Sequence, residues 1–190
     1  MFVRLLLPAL FSCALLANTA VAQQEKLQID PAASTVHFAL SGSLHSVDGT
    51  FKVQQGSILF NRADGSMQGE VAVDAASGNS GDSSRDKKMT ANQMKAPKFS
   101  TVTFMPHHFT GTLNPSGDSN IIVAGTFALL GKPHEITVPM KVHLEGSRCT
   151  ATGSFTVPYV DWGMKDPSVF LLKVGKQVVV NLDLAGSVTP

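Results

Sequence analysis

The chain has 190 residues, a length that suits a single domain with a sizeable apolar core. Its 15 basic and 14 acidic residues give a formal net charge of +1, so it lacks the excess of Lys and Arg with which nucleic-acid-binding proteins neutralise phosphates. Only one of its two cysteines lies beyond residue 22, which excludes an internal disulfide in a chain processed at that point.

The first 22 residues have the layout of a secretory signal peptide. Arg4 provides a short basic start, an apolar run extends from Leu5 to Ala17, and small residues follow at Ala20-Val21-Ala22. The apolar run is shorter than the roughly 20 residues that a membrane helix needs, although a retained anchor is the alternative. We therefore expect a signal peptide at 1–22 cleaved after Ala22, a domain at 23–190 that is not embedded in a membrane, and a periplasmic location.

Alternation of apolar and polar residues with a period of two dominates the rest of the chain and is typical of half-buried β-strands. In chain order, the alternating or strand-like runs are 36–40, 49–53, 58–60, 71–73, 102–104, 107–113, 121–129, 135–144, 149–157 and 178–184. Turn signals such as Asp64-Gly65 and Glu145-Gly146 separate them by short links, which favours antiparallel neighbours. The sequence predicts eight to ten antiparallel strands.

Residues 75–95 break this alternation. The first part, 75–84, is small and polar and predicts a flexible loop. Ser84 is the expected helix N-cap, Asp86 suits the first turn, and Pro97 follows the expected end. We expect a single short helix of about two to three turns.

One short helix cannot cover the apolar face of such a sheet. The sheet is therefore expected to close into a barrel or to fold into a sandwich, both of which protect its edges. A barrel of about eight strands either fills its interior with side chains or leaves space for one small ligand, and both alternatives stay open at this point. An outer-membrane barrel is disfavoured because one Trp and one Tyr cannot form the aromatic girdles of that class.

No catalytic or metal-binding motif accompanies the strands. The six histidines form no H-E-x-x-H motif, and the neighbours His107 and His108 are expected to face opposite sides of one strand. His37 and His143 fall on polar faces, where exposure is expected. Cys149 occupies an alternating apolar position, which predicts a buried and unreactive thiol. The expectation is a binding protein rather than an enzyme, with no cofactor and no metal site.

Five segments resemble a known family. They are 48–51 (Asp-Gly-Thr-Phe), 84–104 with its Arg-Asp pair and its Ala-Pro-Lys-Phe entry to a strand, 125–131, 161–164 (Asp-Trp-Gly-Met) and 174–178. Through them the chain resembles the YceI-like proteins, often called polyisoprenoid-binding or lipocalin-like periplasmic proteins, from about Gln28 to Gly186, which is nearly the whole of 23–190. The resemblance implies an extended, eight-stranded antiparallel barrel with a helix near its mouth and an apolar cavity that holds a polyisoprenoid or similar lipid.

If the barrel holds a cavity, as the resemblance implies, the apolar faces of the strands are expected to form its wall. The wall residues predicted to bind ligand are Phe38, Leu40, Ile58, Phe60, Phe104, Phe127, Leu129, Ile136, Val138, Met140 and Phe155. Trp162, Met164 and Phe170 lie in an irregular stretch and are expected to line or plug the mouth, with Trp162 a ligand-binding candidate. Arg85 is a candidate contact for a polar or anionic head group, with an ion pair or helix-end contact as the alternative.

The predicted function is sequestration or transport of a long-chain apolar or amphiphilic ligand, because burial of apolar surface alone contributes about 25 cal/mol per Å². Two alternatives stay open. One is a periplasmic enzyme acting on a lipid-like substrate, which needs a polar group with a shifted pKa in the cavity. The other is a stress-related structural or interaction protein with a filled barrel. No nucleic-acid partner is expected, and the oligomeric state is open, with a homodimer among the alternatives.

Overall fold

The computed structural model describes residues 24–43, 46–168 and 173–190. The predicted signal peptide and Phe170 lie outside the described residues. Within them, one antiparallel sheet contains the strands β1 (Gln24–Ile29), β2 (Thr35–Leu40), β3 (Val47–Asn61), β4 (Met67–Asp74), β5 (Thr101–Gly111), β6 (Gly117–Leu129), β7 (Lys132–Glu145), β8 (Arg148–Val157) and β9 (Val178–Thr189). A 3-10 turn (Pro31–Ala33), the helix α1 (Ser83–Lys88) and a π-helical turn (Met89–Gln93) complete the regular structure.

The sheet closes into an eight-stranded barrel because β1 and β2 share one position in it. Both strands pair with β3 on one side and with β9 on the other, and Gln28 of β1 lies opposite Ser187 of β9. The 3-10 turn at Pro31–Ala33 separates the two strands, and the Asp30 carboxylate caps it by accepting a hydrogen bond from the backbone N–H of Ala32. The predicted all-β antiparallel barrel with one short helix is confirmed.

Two bulges explain why some strands are longer than the alternating runs from which they were predicted. β3 joins the predicted runs 49–53 and 58–60, and its pairing with β4 shifts register between Val53 and Gln55. An extra residue in a strand changes the phase of the alternation, so a continuous strand looks interrupted in sequence. β1 has no counterpart among the predicted strands.

A second bulge shows that the prediction for His107 and His108 is wrong. The pairing of β5 with β6 shifts register between Pro106 and His108. Pro106 and Phe109 both face the barrel interior, so the two histidines between them both lie exposed on the outer surface instead of on opposite faces.

The helical segment begins earlier than its predicted cap. Asp82, not Ser84, caps α1, because its carboxylate accepts hydrogen bonds at 2.9 Å from the backbone N–H groups of Ser84 and Arg85. The segment continues into the π turn, where the N–H of Met94 donates to the carbonyl of Met89 at 2.9 Å. Together they form about three turns at one end of the barrel. No helix in the described ranges is both long enough and apolar enough to cross a membrane.

Arg62 closes the barrel end opposite α1. From the β3–β4 turn, its guanidinium donates to both carboxylate oxygens of Glu25 and to the backbone carbonyls of Leu113 and Asn114, at 3.0 and 2.7 Å. The same group lies 5.5 Å from the ring centre of Phe60. These contacts hold the β5–β6 hairpin and the first strand against the β3–β4 turn, and Leu113 faces the interior beneath them.

We expect Arg62→Met to lower the free energy of unfolding by about 2–4 kcal/mol, because it leaves a half-buried carboxylate and two backbone carbonyls without their donor. Equilibrium urea denaturation measures the change. The control is Arg148→Met, which replaces an exposed arginine that pairs with no carboxylate in the described part of the chain, and it should cost less than about 0.5 kcal/mol. Equal losses for the two variants would show that the contacts of Arg62 do not stabilise this end of the barrel.

Candidate ligand-binding cavity

The interior of the barrel is a cavity rather than a filled core. Its volume is about 300 Å³, and inward-facing side chains from all nine strands form its wall. Among the described residues, the wall contains no Asp, Glu, Lys, Arg or His side chain. Apolar surface of this kind favours an apolar ligand chain over water.

The cavity extends along most of the barrel. β8 contributes Cys149 at the end closed by Arg62 and Val157 near α1. Eight residues of strand at about 3.3 Å each separate these positions, and strands of small barrels tilt by about 35–45° from the axis. The cavity is therefore about 20 Å long, which fits an extended chain of several isoprene units.

The structure brings the predicted wall residues together around this cavity. Those that line it are Phe38, Leu40, Ile58, Phe60, Phe104, Phe127, Leu129, Ile136, Val138, Met140 and Phe155. Each faces inward because alternation within its strand directs it there. Their contact with a ligand stays a prediction.

Arg85 does not line the cavity. Its Nη2 lies 4.0 Å from the Asp82 carboxylate at the start of α1, and its Nη1 donates weakly to the Ser80 hydroxyl at 3.4 Å. Arg85 therefore makes the alternative contact expected for it, at the helix end. Its guanidinium is not part of the cavity wall.

Trp162 lies at the rim rather than in the wall. Its indole stacks on the His134 imidazole, with ring centres 3.9 Å apart and an angle of 7° between the planes. Its ring centre is also 5.9 Å from that of Phe127, which does line the cavity. Met164, two residues later, reaches the cavity as predicted.

Sequence reasoning missed most of the wall at the α1 end. Met89, Gln93 and Met94 come from the π turn and its end, and Tyr159 comes from the β8–β9 connection. None of them belongs to a strand, so a search for period-two alternation could not find them. The available signal was the pair of methionines in an otherwise polar helical segment.

Gln93 supplies an unused acceptor to the wall. Its Oε1 is buried and has no hydrogen-bond partner within the described ranges. The Tyr159 hydroxyl, by contrast, already donates to the backbone carbonyl of Gly175 at 2.6 Å. A buried acceptor without a partner costs about 1–3 kcal/mol, so a ligand group that donates to Gln93 would recover this free energy.

Cys149 is the wall residue at the closed end. The side chain is 4% exposed, which confirms the predicted burial. Burial raises the pKa of the thiol, and the Arg62 charge opposes this effect only in part. The thiol therefore stays protonated at neutral pH, the form that is a poor nucleophile.

Polar clusters lie on the outer surface instead. The Thr126 hydroxyl donates to the Glu135 carboxylate at 2.6 Å and lies 3.2 Å from Nε2 of His107. His143 and Asp118 form a second pair, with Nδ1 2.6 Å from the carboxylate oxygen. Across the described ranges, no group of three or more His, Cys, Asp and Glu side chains is arranged to hold a metal ion.

Comparisons with known proteins agree with this geometry. A model of the YceI-like domain matches residues 27–185. BcnA of Burkholderia cenocepacia is 21% identical, with 85% of this chain and 99% of that chain covered and a TM-score of 0.66. A Saccharophagus degradans protein, described as a polyisoprenoid binding domain implicated in plant cell wall breakdown, is 19% identical, with 86% and 98% covered and a TM-score of 0.66.

A YceI protein of Campylobacter jejuni is more distant, at 15% identity over 70% of this chain and 79% of its own, with a TM-score of 0.56. At these identities the likeness to solved structures shows a shared fold. No curated protein sequence matches the chain.

We expect the buried Cys149 thiol to make stability depend on pH. A thiol whose folded pKa lies above its unfolded value, about 8.5, contributes stability fully at lower pH and loses it as the pH rises through the folded value. The free energy of unfolding should therefore fall more steeply between about pH 8 and about pH 10 in the wild type than in Cys149→Ala. Urea denaturation at both pH values measures this.

Tyr159 serves as an internal control for this comparison. Burial also raises the pKa of its hydroxyl, and it is present in both proteins, so its contribution cancels in the difference. Parallel pH dependences in the two proteins would contradict the burial of the thiol.

Proposed function

The chain belongs to the YceI-like family, and from this premise we propose that its barrel binds a long-chain apolar or amphiphilic lipid of the polyisoprenoid type. The observation that carries the proposal is the cavity, about 300 Å³ in volume and walled by apolar side chains along the barrel. The Saccharophagus degradans neighbour, described as polyisoprenoid-binding, supports this class of ligand.

Burial of the ligand chain supplies the affinity in this proposal. Each 100 Å² or so of apolar ligand surface removed from water contributes about 2.5 kcal/mol before the cost of immobilisation. Affinity therefore rises with the length of chain that fits between the mouth and the closed end. The free Gln93 acceptor gives an amphiphile one polar contact near the mouth.

The proposed role is sequestration or transport in the periplasm, without catalysis. The signal-peptide pattern at 1–22 supports the location. An enzyme acting on the same ligand would need an acid, base or nucleophile facing it. The described wall offers only the protonated Cys149 thiol, the engaged Tyr159 hydroxyl and the Thr103 hydroxyl, with no acidic or basic side chain to activate them, which favours a binding protein.

Native mass spectrometry of the protein purified from its own periplasm, followed by organic extraction, tests the proposal. We expect one additional mass per chain, released by solvent as an apolar molecule. A mass equal to that of the polypeptide, unchanged after incubation with prenyl and fatty-acyl chains, would refute lipid binding.

Ala151→Phe should shorten the cavity from its closed end. Ala151 is a buried wall residue next to Val142 and Leu184, so a phenyl ring there occupies the space of the ligand's last isoprene unit. We expect the wild type to bind geranylgeraniol about tenfold more tightly than farnesol, and the variant to lose this preference. Isothermal titration calorimetry measures both affinities.

Thr152→Phe is the matched control. It introduces the same ring one residue further along β8, on the exposed outer face, so both affinities should match those of the wild type. If Ala151→Phe also retained the preference for the longer chain, the ligand would not reach the closed end.

A further inference from the structure

Charged side chains are distributed unevenly between the two ends of the barrel. Within the described part of the chain, the connections at the α1 end comprise residues 41–43, 46, 74–100, 130–132, 158–168 and 173–177, and are called the mouth connections below. They hold nine of the 14 basic residues found in 23–190, namely Arg85, Lys87, Lys88, Lys95, Lys98, Lys132, Lys165, Lys173 and Lys176. They hold five of the 14 acidic residues. Their net charge is +4, and the remainder of 23–190 carries −4.

Eight of the nine positive charges of the mouth connections lie on side chains exposed to solvent. All eight lysines are exposed, and none forms an ion pair with a carboxylate in the described part of the chain. Four of the five acidic groups among them accept hydrogen bonds from neighbouring residues. Asp82 caps α1, and Asp86 accepts hydrogen bonds from the N–H and O–H of Ser80 at 2.8 and 2.6 Å.

The cavity opens at this same end. Pro167, in the β8–β9 connection, is the only exposed residue among the described residues of the wall. Met89, Met94 and Met164 line the same end, whereas the Arg62 contacts cover the other. The positive surface therefore surrounds the place where a ligand enters.

We propose that the mouth connections dock the barrel, mouth first, on an anionic lipid bilayer. An anionic bilayer surface attracts each Lys or Arg that comes within about a Debye length, 8–10 Å. The charge of −4 on the rest of the barrel is repelled by the same surface, which orients the mouth toward the lipid. The inference rests on the proposed function, because it assigns the source of the ligand.

Sedimentation with vesicles tests the docking. Vesicles of equal parts phosphatidylcholine and phosphatidylglycerol should bind the protein, vesicles of phosphatidylcholine alone should not, and added salt should weaken the binding. The triple variant Lys87→Glu/Lys88→Glu/Lys95→Glu should bind the mixed vesicles at least about tenfold more weakly. If the wild-type protein bound double-stranded DNA more tightly than the mixed vesicles, the assignment of a bilayer as its partner would be overturned.

The matched control is Lys26→Glu/Lys52→Glu/Lys141→Glu. It makes the same change in net charge at three exposed lysines outside the mouth connections, and should bind the mixed vesicles like the wild type. Equal weakening of the two triple variants would overturn docking through the mouth.

Binding of geranylgeraniol added from ethanol separates the two proposals. None of the six lysines lines the cavity, so both variants should bind it with wild-type affinity. Retained ligand binding together with lost vesicle binding in the mouth variant supports the docking. If no protein, wild type included, bound geranylgeraniol, the proposed function would fail, whereas retained ligand binding without vesicle binding by the wild type would overturn the docking alone.

Discussion

At the break between β1 and β2, the Ser34 side chain takes the place of a paired strand. Its hydroxyl accepts from the backbone N–H of Ala185 at 3.0 Å and donates to the carbonyl of Ala185 at 3.2 Å, while the N–H of Asp30 donates to that same carbonyl at 2.8 Å. The backbone of β9 therefore stays hydrogen-bonded where its partner is interrupted. Closure of the barrel depends on this continuity, and closure gives the apolar strand faces a common interior without any covering helix.

The size of the interior follows from the number of strands and not from small residues in the wall. Gly125 and Gly153 both occupy inward-facing registers, but neither leaves a gap. A Cβ at Gly153 would overlap Sδ of Met140, and one at Gly125 would meet the ring of Phe104 at 2.7 Å. The glycines thus let neighbouring side chains lie flat against the sheet, and the central space remains because side chains of eight strands do not fill it.

Alternation predicted the barrel and the inward direction of the eleven wall residues named from the sequence, because the direction of a side chain in a strand depends only on local geometry. The same rule failed at His107 and His108, where a bulge changes the phase, and a bulge depends on the partner strand as much as on the sequence. The mouth was harder to predict. Trp162 is placed by stacking on His134, and Gln93 by a π turn, and both depend on tertiary contacts between irregular segments.

Because the Arg62 contacts close one end, the barrel is a tube with a single opening, and a ligand can enter and leave only through the mouth. In the proposed function, an amphiphile would enter such a tube tail first, so its polar end would remain at the opening and would be the first part to reach a recipient. Loading and unloading would then use one opening and exclude each other in time. The molecule would therefore act as a shuttle that alternates between donor and acceptor, and not as a conduit through which lipid flows continuously.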